Sequence, residues 1–342
     1  MAIGAYIKEI GRGKLSARGL SREQACDLMG QILDDRVSDL ELGAFCIAMR
    51  VKGETPDEMA GFIDATHSRI RKVPATDTPL VVIPSYNGAR KMPVLTPLLA
   101  LQLARQGVGV ILHSNQTEAK RVSALSVLAH LGVCPQAELH TPRAGQVSVL
   151  PTSQLHPSLD RLLRVRETLA LRNSGHSLVK LLAPTQGPSL LVTSYTHPEY
   201  LHSMTETLKI MGQPALLLRA TEGEPVANPT RPPVIDFIRH GHVTRLQEQT
   251  KGTVHDLPAL PTSIPWPPPG TPDKCWTASC PCPSPSRFRF NTSLARSPHE
   301  SHDSAHITFG NLHLGRSRPG RPRIVDPQSR QSHRPSHPAV GR

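Results

Sequence analysis

Apolar positions in the first 72 residues recur three and four apart, and each run opens on a capping signature. Ser21 begins Ser-Arg-Glu-Gln, so Ser21 and Gln24 predict a capping box. The helix behind it runs to about Asp34, with Ala25, Leu28, Met29, Ile32 and Leu33 on one face. Ser38 and Glu41 predict a second box, after which Leu40, Ala44, Ile47, Ala48 and Val51 follow at helical spacing. Thr55-Pro56-Asp57-Glu58 is a third start, with a cap, a proline at the first helical position and acids in the first turn. Its apolar face is Met59, Phe62, Ile63 and Ala60. A shorter helix over Ile3 to Gly11 precedes them, and the whole reads as a helical bundle over residues 1–75.

The period changes near residue 79. Leu80–Ile83 and Gly107–Leu112 are apolar strand runs, each followed by a helical pattern, Leu95–Gln106 and Val122–Leu131. Leu190–Thr193, a helix over Pro198–Met211 and Ala215–Leu218 form a later unit. Strand and helix alternating with short links predict a parallel sheet with crossover helices. A helical insert, Ser158–Leu171 continued by Gly175–Leu182, interrupts the alternation. The expected fold is therefore α/β: a small N-terminal helical-bundle domain over 1–75, with the insert 158–185 packing back on it, and a larger α/β domain with a central sheet over 78–157 and 188–250. Ligands of such folds bind between the lobes, at the carboxyl ends of the strands.

From residue 258 the pattern fails. Residues 258–342 hold 16 prolines, with Ser, Arg and His abundant, which predicts a disordered Pro/Arg/Ser-rich tail. Two origins stay open: a shift of reading frame near codon 260, or a basic nucleic-acid arm. The tail also bears on charge. Of the net +12, residues 258–342 contribute 11 Lys and Arg against 4 Asp and Glu, so more than half the excess lies there. A positive balance favours polyanions. Cys26, Cys46 and Cys134 fall in apolar periodic stretches and read as buried thiols. The run Cys-Trp-Thr-Ala-Ser-Cys-Pro-Cys (275–282) lacks a second pair at zinc-finger spacing. No secretory core and no long apolar stretch is present, so a cytoplasmic protein without membrane contact is expected.

Several stretches carry a resemblance. IKEIGRGK (7–14), DLELGAFCIAMRVKGE (39–54), IPSYNGARK (83–91), LTPLLA (95–100), LRNSGHSLVKL (171–181), HPEY (197–200) and TEGEPVANP (221–229) together resemble the anthranilate phosphoribosyltransferase-like family, in its YbiB-like, DNA-binding branch. The resemblance covers about 1–257 and implies a homodimer formed through the helical domain. In the active transferases a Gly-Thr-Gly-Gly-Asp loop closes backbone N–H groups on the pyrophosphate of the phosphoribosyl donor. The matching positions here are Pro84, Ser85, Tyr86, Asn87 and Gly88: proline removes a donor, and Tyr86 places a ring where the backbone should approach. The second phosphate segment, Lys-His-Gly-Asn in the family, reads Leu112-His113-Ser114-Asn115. The magnesium pair Asp-Glu falls on Gly223-Glu224, leaving Glu224 alone, and Arg172 matches an arginine that faces the acceptor carboxylate.

A degenerate donor site at Ser85, Tyr86, Asn87, Gly88, His113 and Asn115 is thus expected, with no catalytic residue assigned and no cofactor. Magnesium enters only if transferase activity survives. In its place stands a cationic groove of Arg90, Lys91, Lys120, Arg121, Arg161, Arg164, Arg172 and Arg219, with Arg166 nearby and Tyr86, Tyr195 and His197 as stacking platforms. The expected function is sequence-independent nucleic-acid binding through phosphates. The alternative is an active glycosyl- or phosphoribosyltransferase that keeps His113, Asn115, Arg172 and Glu224. Plainer readings stand beside these: Arg90-Lys91 as a solvated turn, Arg161 paired with Asp160 or Glu167, and Tyr86 capping the core.

Overall fold

The computed structural model describes residues 3–13, 16–115, 121–228 and 231–249. Lys120, the Cys275–Cys282 cluster and the expected disordered tail lie outside the described residues.

Helices α1 (Gly4–Ile10), α2 (Arg22–Leu33), α3 (Asp39–Lys52) and α4 (Pro56–His67) come first. All three capping boxes are formed. Ser21, Ser38 and Thr55 accept from the N–H of Gln24, Glu41 and Glu58, whose side chains accept from the cap N–H in return. Each box satisfies two donors that a helix start leaves open, which is why these boundaries could be read locally. Helices α2 and α4 pack tightly: a Cβ on Gly61 would sit 2.2 Å from the Arg22 carbonyl oxygen. Phe45 and Phe62 meet edge to face in the core, with centroids 6.0 Å apart.

One face was assigned wrongly. The stripe Leu40–Ile47–Val51 of α3 points outward, with Leu40 84% and Val51 53% exposed. The buried stripe is Leu42, Phe45, Cys46 and Met49. This helix is apolar on two sides, and the core takes the side with the larger rings and thioether. Cys46 is buried, and burial pushes its thiol up to about 12. Cys26 and Cys134 are only half-buried, contrary to expectation.

The α/β part runs β1 (Leu80–Ser85), α5 (Thr96–Arg105), β2 (Gly109–Ser114), α6 (Ala124–His130), β3 (Val147–Pro151), α7 (Thr152–Leu155), α8 (Pro157–Leu169), α9 (Ser174–Leu178), β4 (Leu190–Tyr195), α10 (Glu199–Met211), β5 (Ala215–Arg219), β6 (Ile235–Arg239) and β7 (His242–Gln247). The sheet order is β3-β2-β1-β4-β5-β6-β7. The first five in that order are parallel, while β6 and β7 run antiparallel, so the sheet is mixed rather than all-parallel. Strands β3, β6 and β7 were not anticipated. The last two form a hairpin whose turn residues His240 and Gly241 have φ of 50° and 76°, the two positive values a type I′ turn requires. A His-Gly pair is a weaker written signal for that turn than Asn-Gly.

Helices α8 and α9 pack on α2, α3 and α4. Arg161 on α8 pairs with Asp35 and, at 2.6 Å, with Asp39, both in the α2–α3 region. The chain also crosses between the lobes where the Val73 N–H donates to the Pro184 carbonyl at 2.9 Å. Among the described residues no helix is long and apolar enough to cross a membrane.

Candidate functional site

The carboxyl ends of β1 and β2 lie side by side, with Ser85 opposite Ser114 in the register. The segment after β1 (85–92) and the turn after β5 (221–226) meet over those ends through side chains of the turn. Glu224 is 2% exposed, and its carboxylate is enclosed by donors. Its Oε1 accepts the N–H of Asn87 at 2.9 Å and of Gly88 at 2.7 Å. Its Oε2 accepts the hydroxyls of Ser85 and of Thr96, the latter at 2.8 Å. Glu222 does the same one step along. Its carboxylate accepts the N–H groups of Arg90 at 2.8 Å, Lys91 at 3.1 Å and Met92 at 3.2 Å. Burial pushes the Glu222 carboxyl up, but the three N–H groups and the charge of Arg121 outweigh it and leave it below its ordinary value.

Gly223 makes this possible. It sits at φ 96°, and its carbonyl accepts from Asn87 Nδ2 at 2.7 Å. A Cβ there would lie 1.7 Å from the same Asn87 nitrogen. Lys180, buried beneath, donates to the Gly223 carbonyl at 3.3 Å. Burial and the charge of Arg172 lower its ammonium to about 8, against the opposing pull of Glu224.

The other donor-site candidates are structural in placement. Tyr86 is buried, and its hydroxyl donates to His113 Nδ1 at 2.7 Å, while Thr152 lies 3.1 Å away. His113 donates its Nε2 proton to the Leu182 carbonyl at 3.0 Å, and burial lowers it to about 4, so the ring is neutral. Asn115 donates to Asp160 of α8 at 3.3 Å, and burial raises the Asp160 carboxyl. Tyr86 and Tyr195 are both buried and offer no stacking face; of the three aromatic platforms only His197 is exposed.

The cations divide. Arg161 is spent on Asp35 and Asp39 rather than on its own helix. Arg121 donates to the carbonyls of Gly88 and Glu222 at 3.3 and 3.5 Å, pinning the two segments together. Arg164 faces Glu167 at 3.6 Å on an exposed part of α8. Arg172 is half-buried beside His176, whose ring burial and the charges of Arg172 and Arg166 lower to about 3. Arg90, Lys91 and Arg219 are exposed and make no ion pair among the described residues. Sequence reasoning missed Glu222, Thr96 and Lys180, and it read Gly223 only as a lost carboxylate rather than as the residue that admits Asn87. Two acids flanking a glycine (222–224) were the written signal, but nothing local said which donors they would reach.

The residues do not fit a magnesium ion. A carboxylate offers about four lone-pair directions, and four protein donors already take those of Glu224. No group of three His, Cys, Asp or Glu among the described residues is placed to hold a metal.

A helical bundle joined to an α/β lobe, with a phosphate-type loop at the strand ends, is the architecture of a phosphoribosyltransferase-like protein. Residues 5–69 match the family model described as "Glycosyl transferase family, helical bundle domain". Over 241 residues the chain is 41% identical to the uncharacterized protein YbiB of Escherichia coli, covering 68% of this chain and 75% of that one. It is 24% identical over 217 residues to an anthranilate phosphoribosyltransferase of Dictyoglomus turgidum, of whose length it spans 63%. The fold is similar to the crystal structure of the anthranilate phosphoribosyltransferase of Thermus thermophilus, with a TM-score of 0.56, 23% identity, and 70% and 72% of the two chains covered. The chain belongs to the anthranilate phosphoribosyltransferase-like family.

Proposed function

We propose that this protein is a non-catalytic, sequence-independent nucleic-acid-binding protein on a phosphoribosyltransferase scaffold. The observation that carries the reading is the fate of the phosphate-type loop. Its N–H groups at Asn87, Gly88, Arg90, Lys91 and Met92 are taken up by Glu222 and Glu224. Phosphoribosyl transfer depends on holding and neutralising the leaving pyrophosphate, and each lost donor of that kind costs about 3 kcal/mol of transition-state stabilisation. What remains outward at the strand ends is positive: Arg90, Lys91 and Arg219, with Arg164 on the neighbouring insert. Such groups displace counterions from a phosphate backbone and read no bases. The groove is shorter than the sequence suggests, since Arg161 and Arg121 are committed internally. The outward stripe Leu40, Ile47 and Val51 supports a homodimer through the helical domain, which would place two such cationic rims on one particle.

Fluorescence anisotropy of the full chain with labelled oligonucleotides of several sequences tests this. Binding should weaken steeply with salt and vary little with sequence. Replacing Arg90, Lys91 and Arg219 together with alanine should flatten the log–log salt slope by about 2 to 3 units. An unchanged slope would move binding to the basic C-terminal residues and overturn the groove. The transferase alternative rests on the retained Asn115 and Arg172; saturable calorimetric heat with phosphoribosyl pyrophosphate and magnesium would restore it.

A further inference from the structure

Strand β7 ends the sheet order, so its outer edge pairs with no strand among the described residues. The turn at His240-Gly241 fixes which backbone groups face that way. In a type I′ hairpin the residues that flank the turn, here Arg239 and His242, exchange hydrogen bonds, and the pairs alternate from there. His242 and Thr244 therefore turn their N–H and C=O groups inward to β6, while Val243 and Arg245 turn theirs outward. The register slips only beyond the Asp236–Arg245 pair, which leaves this stretch regular. The side chains sort by face. Val243 lies opposite Ile238, which shares a core cluster with Met204 and Leu208 of α10, and Arg245 lies opposite Asp236 on that same face. Arg245 is committed to Asp236 and Glu248. What that face offers is therefore Val243, 44% exposed. The other face carries Arg239 opposite His242, then Thr244. Arg239 donates to the His240 ring at 3.2 Å, and no Asp or Glu occurs between Phe237 and Gln247.

We propose that the outer edge of β7 is a strand-addition site for an extended segment of a partner protein in which acidic and apolar residues alternate. The segment lies antiparallel to β7. Its residue opposite Val243 turns its own N–H and C=O toward the strand and sets an apolar side chain on the apolar face. The neighbouring positions then fall on the basic face, where acids meet Arg239 and His242. Backbone pairing supplies the affinity and the two faces supply the choice of partner. A nucleic acid fits this edge worse, because a phosphodiester chain has no N–H groups for the outward carbonyls. The place is also separate from the cationic rim. The hairpin turn lies past the Ala215–Ile238 pair, at the amino end of β5, whereas Arg219 stands at the carboxyl end of that strand, as Arg90 and Lys91 follow the carboxyl end of β1.

The test is fluorescence anisotropy of the full chain with a labelled peptide of alternating Glu and Val, about eight residues long, an ordinary strand length. Two further peptides are compared with it: one with Lys in place of Glu, and one with its valines N-methylated. Wild type should bind the first saturably and each of the others at least about tenfold more weakly, the second through charge and the third through lost backbone pairing. Val243→Pro removes an outward N–H without touching the ladder to β6, and should weaken binding about tenfold as well, while Val243→Thr keeps it. Arg239→Ala combined with His242→Ala should erase the preference for Glu over Lys. Each variant is checked for a native far-ultraviolet spectrum. If Val243→Pro does not fold, the N-methylated peptide decides, since it needs no variant. No saturable binding by wild type, equal binding of the N-methylated peptide, or displacement of the peptide by an oligonucleotide overturns strand addition. Alanine at Arg90, Lys91 and Arg219 together should leave peptide binding unchanged, so failure at this edge and failure of the cationic rim give different results.

Discussion

Two buried glutamates divide the molecule. Glu58, in the helical domain, accepts the N–H of Leu20 at 2.9 Å and of Thr55 at 2.8 Å, and pairs with the buried ammonium of Lys52 at 2.6 Å. Glu224, in the α/β domain, is buried as deeply, yet the four donors that enclose it are neutral hydroxyls and amides. Glu58 closes a capping box with a residue three positions away and has a counter-charge close in the chain. Glu224 reaches across the fold. The first arrangement holds an element together; the second fills a place shaped for an anion. A buried carboxylate paired directly with a cation is evidence of architecture, while one whose hydrogen bonds all come from convergent neutral donors, with the Lys180 ammonium held on the Gly223 carbonyl beside it, points to a site.

Three measurements bear on that contrast. The largest effect is expected for Glu58→Ala. It leaves the Lys52 ammonium buried without its partner and opens the cap of α4, so urea unfolding should show a loss of about 3–5 kcal/mol. A loss below about 1 kcal/mol would mean Lys52 finds water easily, and the contrast between the two acids would collapse. Next comes Glu224→Gln, which keeps one accepting oxygen and loses the other. The same experiment should show about 1–3 kcal/mol, the cost of unsatisfied buried donors. The smallest effect concerns pH. The folded Glu222 carboxyl lies below its ordinary value of 4.5, so its contribution is complete above that value. It fades as pH falls through the lower folded value, because the unfolded chain then takes up the proton first. The stability difference between wild type and Glu222→Gln should stay flat above pH 4.5 and shrink below it. A difference that grows on acidification would contradict the nest of N–H groups around Glu222.

The same contrast explains what could be read from the chain in advance. Ser21, Ser38 and Thr55 announce their helices because a cap and its partner lie within four residues of each other. The α3 face was misread because both of its sides are apolar, and only packing against Phe62 selects Phe45 over Ile47. Strands β6 and β7 were missed because their turn is written His240-Gly241, and because β7 alternates without a buried face. At the site, the altered loop is visible as Pro84-Ser85-Tyr86-Asn87-Gly88, and the ring of Tyr86 caps the core as its plainer reading expects. The occupancy of that loop by Glu222 and Glu224 was not visible, since no local pattern records a contact across 136 residues.

Gly223 carries a further consequence. With φ at 96° and a Cβ position 1.7 Å from Asn87 Nδ2, no side chain fits there while Asn87 keeps its place. An aspartate placed at 223 would collide with Asn87, and a glycine placed at 87 would leave the Gly223 carbonyl short of a donor. Either change made alone therefore costs a clash or a lost hydrogen bond. The two positions are locked to each other, so exchanging both at once should disturb the fold less than the separate substitutions predict.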